Sequence, residues 1–241
     1  MSKLALIIHA PCCVLKSGLS GKFSIMMKTM SISNTRRYFE ISATVITALG
    51  KFIFMDWLDW RFAYIATACL FWSIYVYKRY REQPDILTYW GFSTHNFKQV
   101  FRLVLPFGLL SLLVFFAIGY MQDTLILSWH IIPVLILYPL WGTIQQFLVV
   151  AIVAGNLKDM QATNIPYWLI VLFTSVLFGG VHYPHAWLIL GTFLLAAFYA
   201  VIYLKEKNLY VLGIFHGWLG AFFFYTVLAR DSFMEVFGTL L

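Results

Sequence analysis

Residues 166–185 read Pro-Tyr-Trp-Leu-Ile-Val-Leu-Phe-Thr-Ser-Val-Leu-Phe-Gly-Gly-Val-His-Tyr-Pro-His. The run carries no charge from Tyr167 to Val181, and it ends where His182 and His185 flank Pro184 with no carboxylate nearby. An imidazole at membrane depth is costly unless it has partners, so such a residue is a functional-site hypothesis from the outset. A second apolar stretch carries His216 within Leu212-Gly213-Ile214-Phe215-His216-Gly217-Trp218-Leu219-Gly220, and a third carries the adjacent amides Gln145 and Gln146. Polar groups in a helical bundle are better satisfied facing inward than facing lipid, so the three stretches are expected to converge on one cavity.

Working outward, the whole chain has the same character. Of its 241 residues, 61% are hydrophobic and 11% charged, with a mean hydropathy of +0.81. An ordinary soluble domain is roughly 25% charged. The composition implies an all-α, polytopic membrane helical bundle of about seven transmembrane helices, and at about 20 apolar residues per span no second soluble domain fits. The expected spans are 39–57, 62–78, 101–121, 127–155, 166–182, 185–204 and 209–229, all within one integral-membrane domain over 36–241. Fourteen lysines and arginines then fall on the side of the N-terminus and two, Arg61 and Arg230, on the other, with Lys51 inside a span. That bias puts the N-terminus in the cytoplasm. The formal charge of +7 is spread over loops and not gathered into a stripe, so no nucleic-acid partner is expected.

Residues 1–35 mix Ser, Gly, Lys and Met after a short apolar start, and read as a disordered tail or an extension from a start codon placed too early. Lipidation at Cys12 and Cys13 is the alternative. With Cys69 these are the three cysteines, and they show no metal-ligand spacing. Lys51 is expected to snorkel beside Asp56 and Asp59, and the long fourth stretch to tilt or kink at Pro139. Residues 91–102 suggest an interfacial helix capped by Ser93 or Thr94. His95 reads as exposed and His130 as a satisfied structural residue. Trp57, Trp60, Trp90, Tyr167, Trp168, Tyr203 and Tyr210 suggest an aromatic belt.

Phe178 and His182 are spaced i, i+4, which puts both rings on one helical face. His216 and Gly220 share that spacing, beside a row of small residues, Gly213, Gly217 and Ala221, that lets another helix approach closely. This order of motifs resembles the CPBP superfamily, which includes type II CAAX prenyl endopeptidases and bacteriocin-processing and immunity proteins. Its motifs are Glu-Glu-x-x-x-Arg, Phe-x-x-x-His and His-x-x-x-Asn or Asp, and the likeness covers about residues 125–229. The approach to His216 through Asn208-Leu209-Tyr210 is similar as well.

The resemblance implies an intramembrane endopeptidase that cleaves a lipidated or membrane-embedded peptide with a histidine-activated water. Gln145 and Gln146 stand at the glutamate pair, Val150 at the arginine and Gly220 at the last polar position. It also implies His182 as base, His216 as oxyanion donor, and Phe178 and Gly220 as substrate or packing residues. A carboxamide cannot take up a proton near neutral pH, which leaves His182 as the base. No cofactor is expected. His182, His185 and His216 form an alternative three-histidine metal set, and a catalytically inactive membrane binding or immunity protein is the alternative function. The expected partners are the lipid bilayer and the peptide substrate, and the expected location is a bacterial inner membrane.

Overall fold

The computed structural model describes residues 32–126, 128–160 and 164–238. The expectations for Cys12, Cys13 and the N-terminal tail therefore lie outside the described residues. Residues Asn34–Leu241 form one compact unit. Among the described residues it is helical throughout: α1 (Asn34–Lys51) with a π-helical turn (Phe52–Trp57), α2 (Arg61–Glu82), α3 (Ile86–Tyr89), α4 (Phe97–Gln122), α5 (Ile131–Gln146) with a π-helical stretch (Phe147–Gly155), α6 (Asn156–Asp159), α7 (Tyr167–Gly180), α8 (Ala186–Glu206), α9 (Leu209–Thr226) and α10 (Ser232–Phe237). Five of these segments are long and apolar enough to cross a membrane: Asn34–Trp57, Phe97–Gln122, Ile131–Asp159, Ala186–Glu206 and Leu209–Thr226. α2 has the length but carries Lys78, Arg79, Arg81 and Glu82 in its last turns. At 14 residues, α7 rises only about 21 Å.

Exposed leucines, phenylalanines and tryptophans cover the outward faces; Leu110, Leu113, Ile136, Leu140 and Trp168 are each at least 60% exposed. In water such a surface is a liability, whereas in hydrocarbon it is the complementary one. The core lies where α5, its π-helical stretch and α9 cross. From Phe147 to Gly155 every residue is buried.

α5 and α9 touch backbone to backbone, and glycine permits it. A Cβ on Gly217 would meet Pro139 Cα at 2.7 Å, and one on Gly142 would meet Gly213 O at 2.7 Å and His216 Cδ2 at 3.0 Å. The small-residue row on α9 thus faces α5, which brings His216 against it. Pro139 does not break α5. The carbonyl that its missing N–H leaves unpaired is that of Leu135, four residues back, and the Trp218 indole donates to it at 3.2 Å. The change of winding falls instead at Phe147–Gly155.

Other expectations also shift. Residues 97–102 are not a separate interfacial helix but the start of α4, which runs unbroken to Gln122. Asn96, not Ser93 or Thr94, precedes its first turn, and the Asn96 side chain is engaged by the Glu206 carbonyl and Asn208. Trp90 and Tyr203 do not belong to an aromatic belt: both are buried, and the Tyr203 hydroxyl donates to the Trp90 carbonyl at 3.0 Å. His130 has partners at Asp231 (2.5 Å) and the stacked ring of Phe233. His95 is exposed.

At the end of the bundle where α1 starts and α2 finishes, several charged side chains are buried. Glu40 accepts from Asn156 Nδ2 at 2.6 Å and from the Tyr75 hydroxyl, with Arg79 Nε at 3.9 Å. Arg37 donates to Asn156 Oδ1 and Tyr89 OH, both at 2.9 Å, and Tyr89 donates to Asp159 at 2.8 Å. This network closes the end of the bundle that also carries Lys158, Lys205 and Lys207.

Candidate functional site

The site is built from α5, α7 and α9. α7 ends at Gly180, and a turn over 181–184 follows, so His182 lies just past the helix. Its ring meets Phe178 edge-on rather than stacked, with centroids 5.0 Å apart and planes at 84°. Phe178 also touches His216 at 5.6 Å, which places the phenyl ring between the two imidazoles. Gln145, Phe178, His182, His216 and Gly220 all line one cavity of about 480 Å³. Gln146 does not line it; fully buried behind the wall, it contacts His216.

The hydrogen bonds fix the ring chemistry. His182 Nδ1 lies 2.7 Å from the Phe178 carbonyl. A carbonyl can only accept, so Nδ1 carries the proton and Nε2 presents a lone pair. Gln146 Nε2 lies 2.9 Å from His216 Nδ1. With the Gln146 amide in this orientation its nitrogen donates, so Nδ1 of His216 accepts and Nε2 carries the proton. The two imidazoles thus have opposite polarity: one free acceptor and one free donor on the same cavity. Gln146 Oε1 is buried without a partner, so the amide's sole side-chain bond is to His216.

The Gln pair divides its work differently from what alignment with the family's glutamates implies. Gln145 reaches the cavity, while Gln146 sets the state of His216. The π-helical winding begins at the very next residue, Phe147. Val150, at the motif's arginine position, is fully buried, and Gly220 has open space where a side chain would stand.

The three-histidine metal set does not assemble. His185 is exposed, and its Nε2 accepts from Arg230 Nη1 at 3.1 Å. Among the described residues no group of three His, Cys, Asp or Glu side chains is placed to hold a metal ion.

Sequence reasoning missed one neighbour of the site. Lys51 lines the cavity, pairs with Asp56 at 2.6 Å and donates to the Tyr183 carbonyl at 3.0 Å, tying α1 to the turn that carries His182. The available signal was a lone lysine inside an apolar span. Asp59, expected beside it, pairs with Arg61 instead.

No family model, curated protein or solved structure matches the chain.

Proposed function

We propose that the chain is an intramembrane endopeptidase of the CPBP kind, acting on a lipidated or membrane-embedded peptide. The observation that carries this reading is the pair of opposed imidazoles, His182 with a bare Nε2 and His216 with a protonated one, on a shared cavity. His182 Nε2 takes a proton from water while the water oxygen bonds to the scissile carbonyl carbon. His216 Nε2–H donates to the oxyanion, which is the kind of preorganised donor that matters most in acyl transfer. As the oxyanion collapses and the C–N bond breaks, the His182 imidazolium returns its proton to the leaving amine. Gln145 can orient the water by donating and accepting.

The same reading takes seven helices as spans, the five long apolar segments together with α2 and the short α7, with the N-terminus cytoplasmic, in a bacterial inner membrane. The fourteen-to-two distribution of basic residues supports it. A second reading, a non-catalytic membrane binding or immunity relative, is favoured by one observation: among the described residues no carboxylate hydrogen-bonds either imidazole. A base backed only by a backbone carbonyl lacks the charge that stabilises an imidazolium as it forms.

The test is incubation of the purified, detergent-solubilised protein with apolar peptides, with and without chelator, scored by the appearance of new N-termini. Cleavage that is lost in His182→Ala, with membrane accumulation retained, is the expected result. Cleavage unchanged in His182→Ala overturns the assignment, and no cleavage by the unaltered protein transfers the site to the binding reading.

A further inference from the structure

Most of the cavity lies towards one end of the bundle, although its α5 wall, from Leu137 to Val149, reaches past the middle of that segment. On α1 its wall begins at Thr44 and continues to Asp56 in the following turn, leaving out Arg37 and Glu40; on α2 it runs from Arg61 to Cys69 and no further. On α9 it starts at His216 and continues beyond the helix to Arg230, with nothing from the first turn and a half. The opposite half is closed by the buried network of Glu40, Arg37, Arg79 and Asn156. The end bearing Arg230 and α10, away from Lys158, is the one that the cavity wall reaches and the buried network does not close.

Every cation on that wall is paired. Lys51 meets Asp56 at 2.6 Å, Arg230 meets Glu235 at 2.5 Å, and Arg61 meets Asp59, which stands outside the lining, at 3.0 Å. Glu235 also reaches Arg61 at 3.3 Å. Deeper in, the polar groups offered to a ligand are neutral: the Gln145 amide, His182 Nε2 and His216 Nε2–H. An anion entering this space leaves water for an apolar wall without gaining a free cation, whereas an amide finds both a donor and an acceptor.

We propose that this cavity is entered from the Arg230 end and selects an apolar chain carrying an uncharged amide, that is, an internal peptide bond rather than a chain terminus. The proposal names the substrate class of the peptidase reading and rests on it. With the N-terminus cytoplasmic, the substrate arrives from the extracytoplasmic side.

Thiol labelling in sealed vesicles of either orientation tests it without any cleavage assay. The full chain with Cys12→Ser and Cys13→Ser keeps Cys69, which lines the cavity. Gly220→Cys adds a second reporter at a position where a new Cβ meets nothing within 4 Å. Lys158→Cys marks the exposed far end. An impermeant maleimide is expected to reach Cys69 or Gly220→Cys from one face and Lys158→Cys from the other; labelling from the same face, or of neither cavity thiol from either face, overturns the route. Decanamide is expected to protect the cavity thiol at a concentration at least tenfold lower than decanoate. Equal or better protection by decanoate, or none by either, overturns the selectivity. Because the readout is accessibility, an inactive protein that passes both arms fails the peptidase reading alone.

Discussion

Glu40 and Gln146 are both fully buried in this bundle, and replacing each with leucine is predicted to cost very different amounts. Glu40 accepts from Asn156 and Tyr75 and lies 3.9 Å from Arg79 Nε. Glu40→Leu strips Asn156 and Tyr75 of their acceptor and leaves the buried Arg79 with only the partly exposed Glu82, at 2.9 Å, as counter-charge, and removal of one member of a buried charged network costs about 3–5 kcal/mol. Gln146→Leu removes one neutral hydrogen bond, about 1 kcal/mol net, and bares His216 Nδ1, which adds about 1–3 kcal/mol. It also removes Gln146 Oε1, a buried acceptor that has no partner, and so relieves a penalty of similar size. The net loss is about 1 kcal/mol. At about 2–4 °C per kcal/mol for a chain of this size, the midpoint of thermal unfolding in detergent drops by roughly 6–20 °C for Glu40→Leu and by less than about 6 °C for Gln146→Leu. If Gln146→Leu proves as damaging as Glu40→Leu, the amide is packing glue between α5 and α9, and its assignment to controlling the state of His216 is wrong.

Gly217→Ala puts a methyl against the Pro139 backbone and is expected to cost at least about 1–3 kcal/mol, while Gly220→Ala, three residues on and facing open space, leaves the unfolding midpoint unchanged. Gln145→Glu restores the residue type of the resembled motif on the cavity wall; cleavage is expected to rise, and a fall would mean that the site cannot hold a carboxylate without the arginine missing at Val150. His216→Ala removes the oxyanion donor and is expected to slow cleavage on the order of a hundredfold or more, against little change if the ring is merely structural. Burial opposes ionisation of Asp231, but hydrogen bonds from Tyr225, His130 and the Met234 N–H outweigh it and hold the carboxyl below the ordinary aspartate range. Its contribution is therefore complete above about pH 3.9, the unfolded value, and is lost as pH falls through the lower folded value. Proteolysis at α10 should increase only in that acid window, and Asp231→Asn should abolish the dependence.

The apolar runs made the helices legible because twenty uncharged residues leave the backbone few alternatives in lipid. The Gly213, Gly217, Ala221 row likewise announced a close helix contact, and the convergence of His182, His216 and Gln145 on one cavity followed from the cost of polar groups at membrane depth. What sequence could not reveal depended on contacts between distant residues. The burial of Arg37, Glu40, Arg79 and Asn156 was not legible because nothing local shows that α1, α2 and the end of the α5 segment meet there. The division of labour between Gln145 and Gln146 turns on which of two adjacent side chains faces α9, a rotation of about 100° that the π-helical winding just beyond them leaves undetermined by pattern alone. The partner of the carbonyl that Pro139 leaves unpaired was hidden for a related reason, since it is an indole 83 residues from Leu135.

Two imidazoles of opposite polarity facing one cavity carry the proposed chemistry, and nitrogen NMR of histidine-labelled protein in micelles reads that polarity directly. With resonances assigned through His182→Gln and His216→Gln, that chemistry predicts His182 protonated at Nδ1 and bare at Nε2, and His216 protonated at Nε2 and bare at Nδ1. Finding both rings in the same tautomer, or His216 protonated at Nδ1, would contradict it, because the site would then lack either its base or its oxyanion donor.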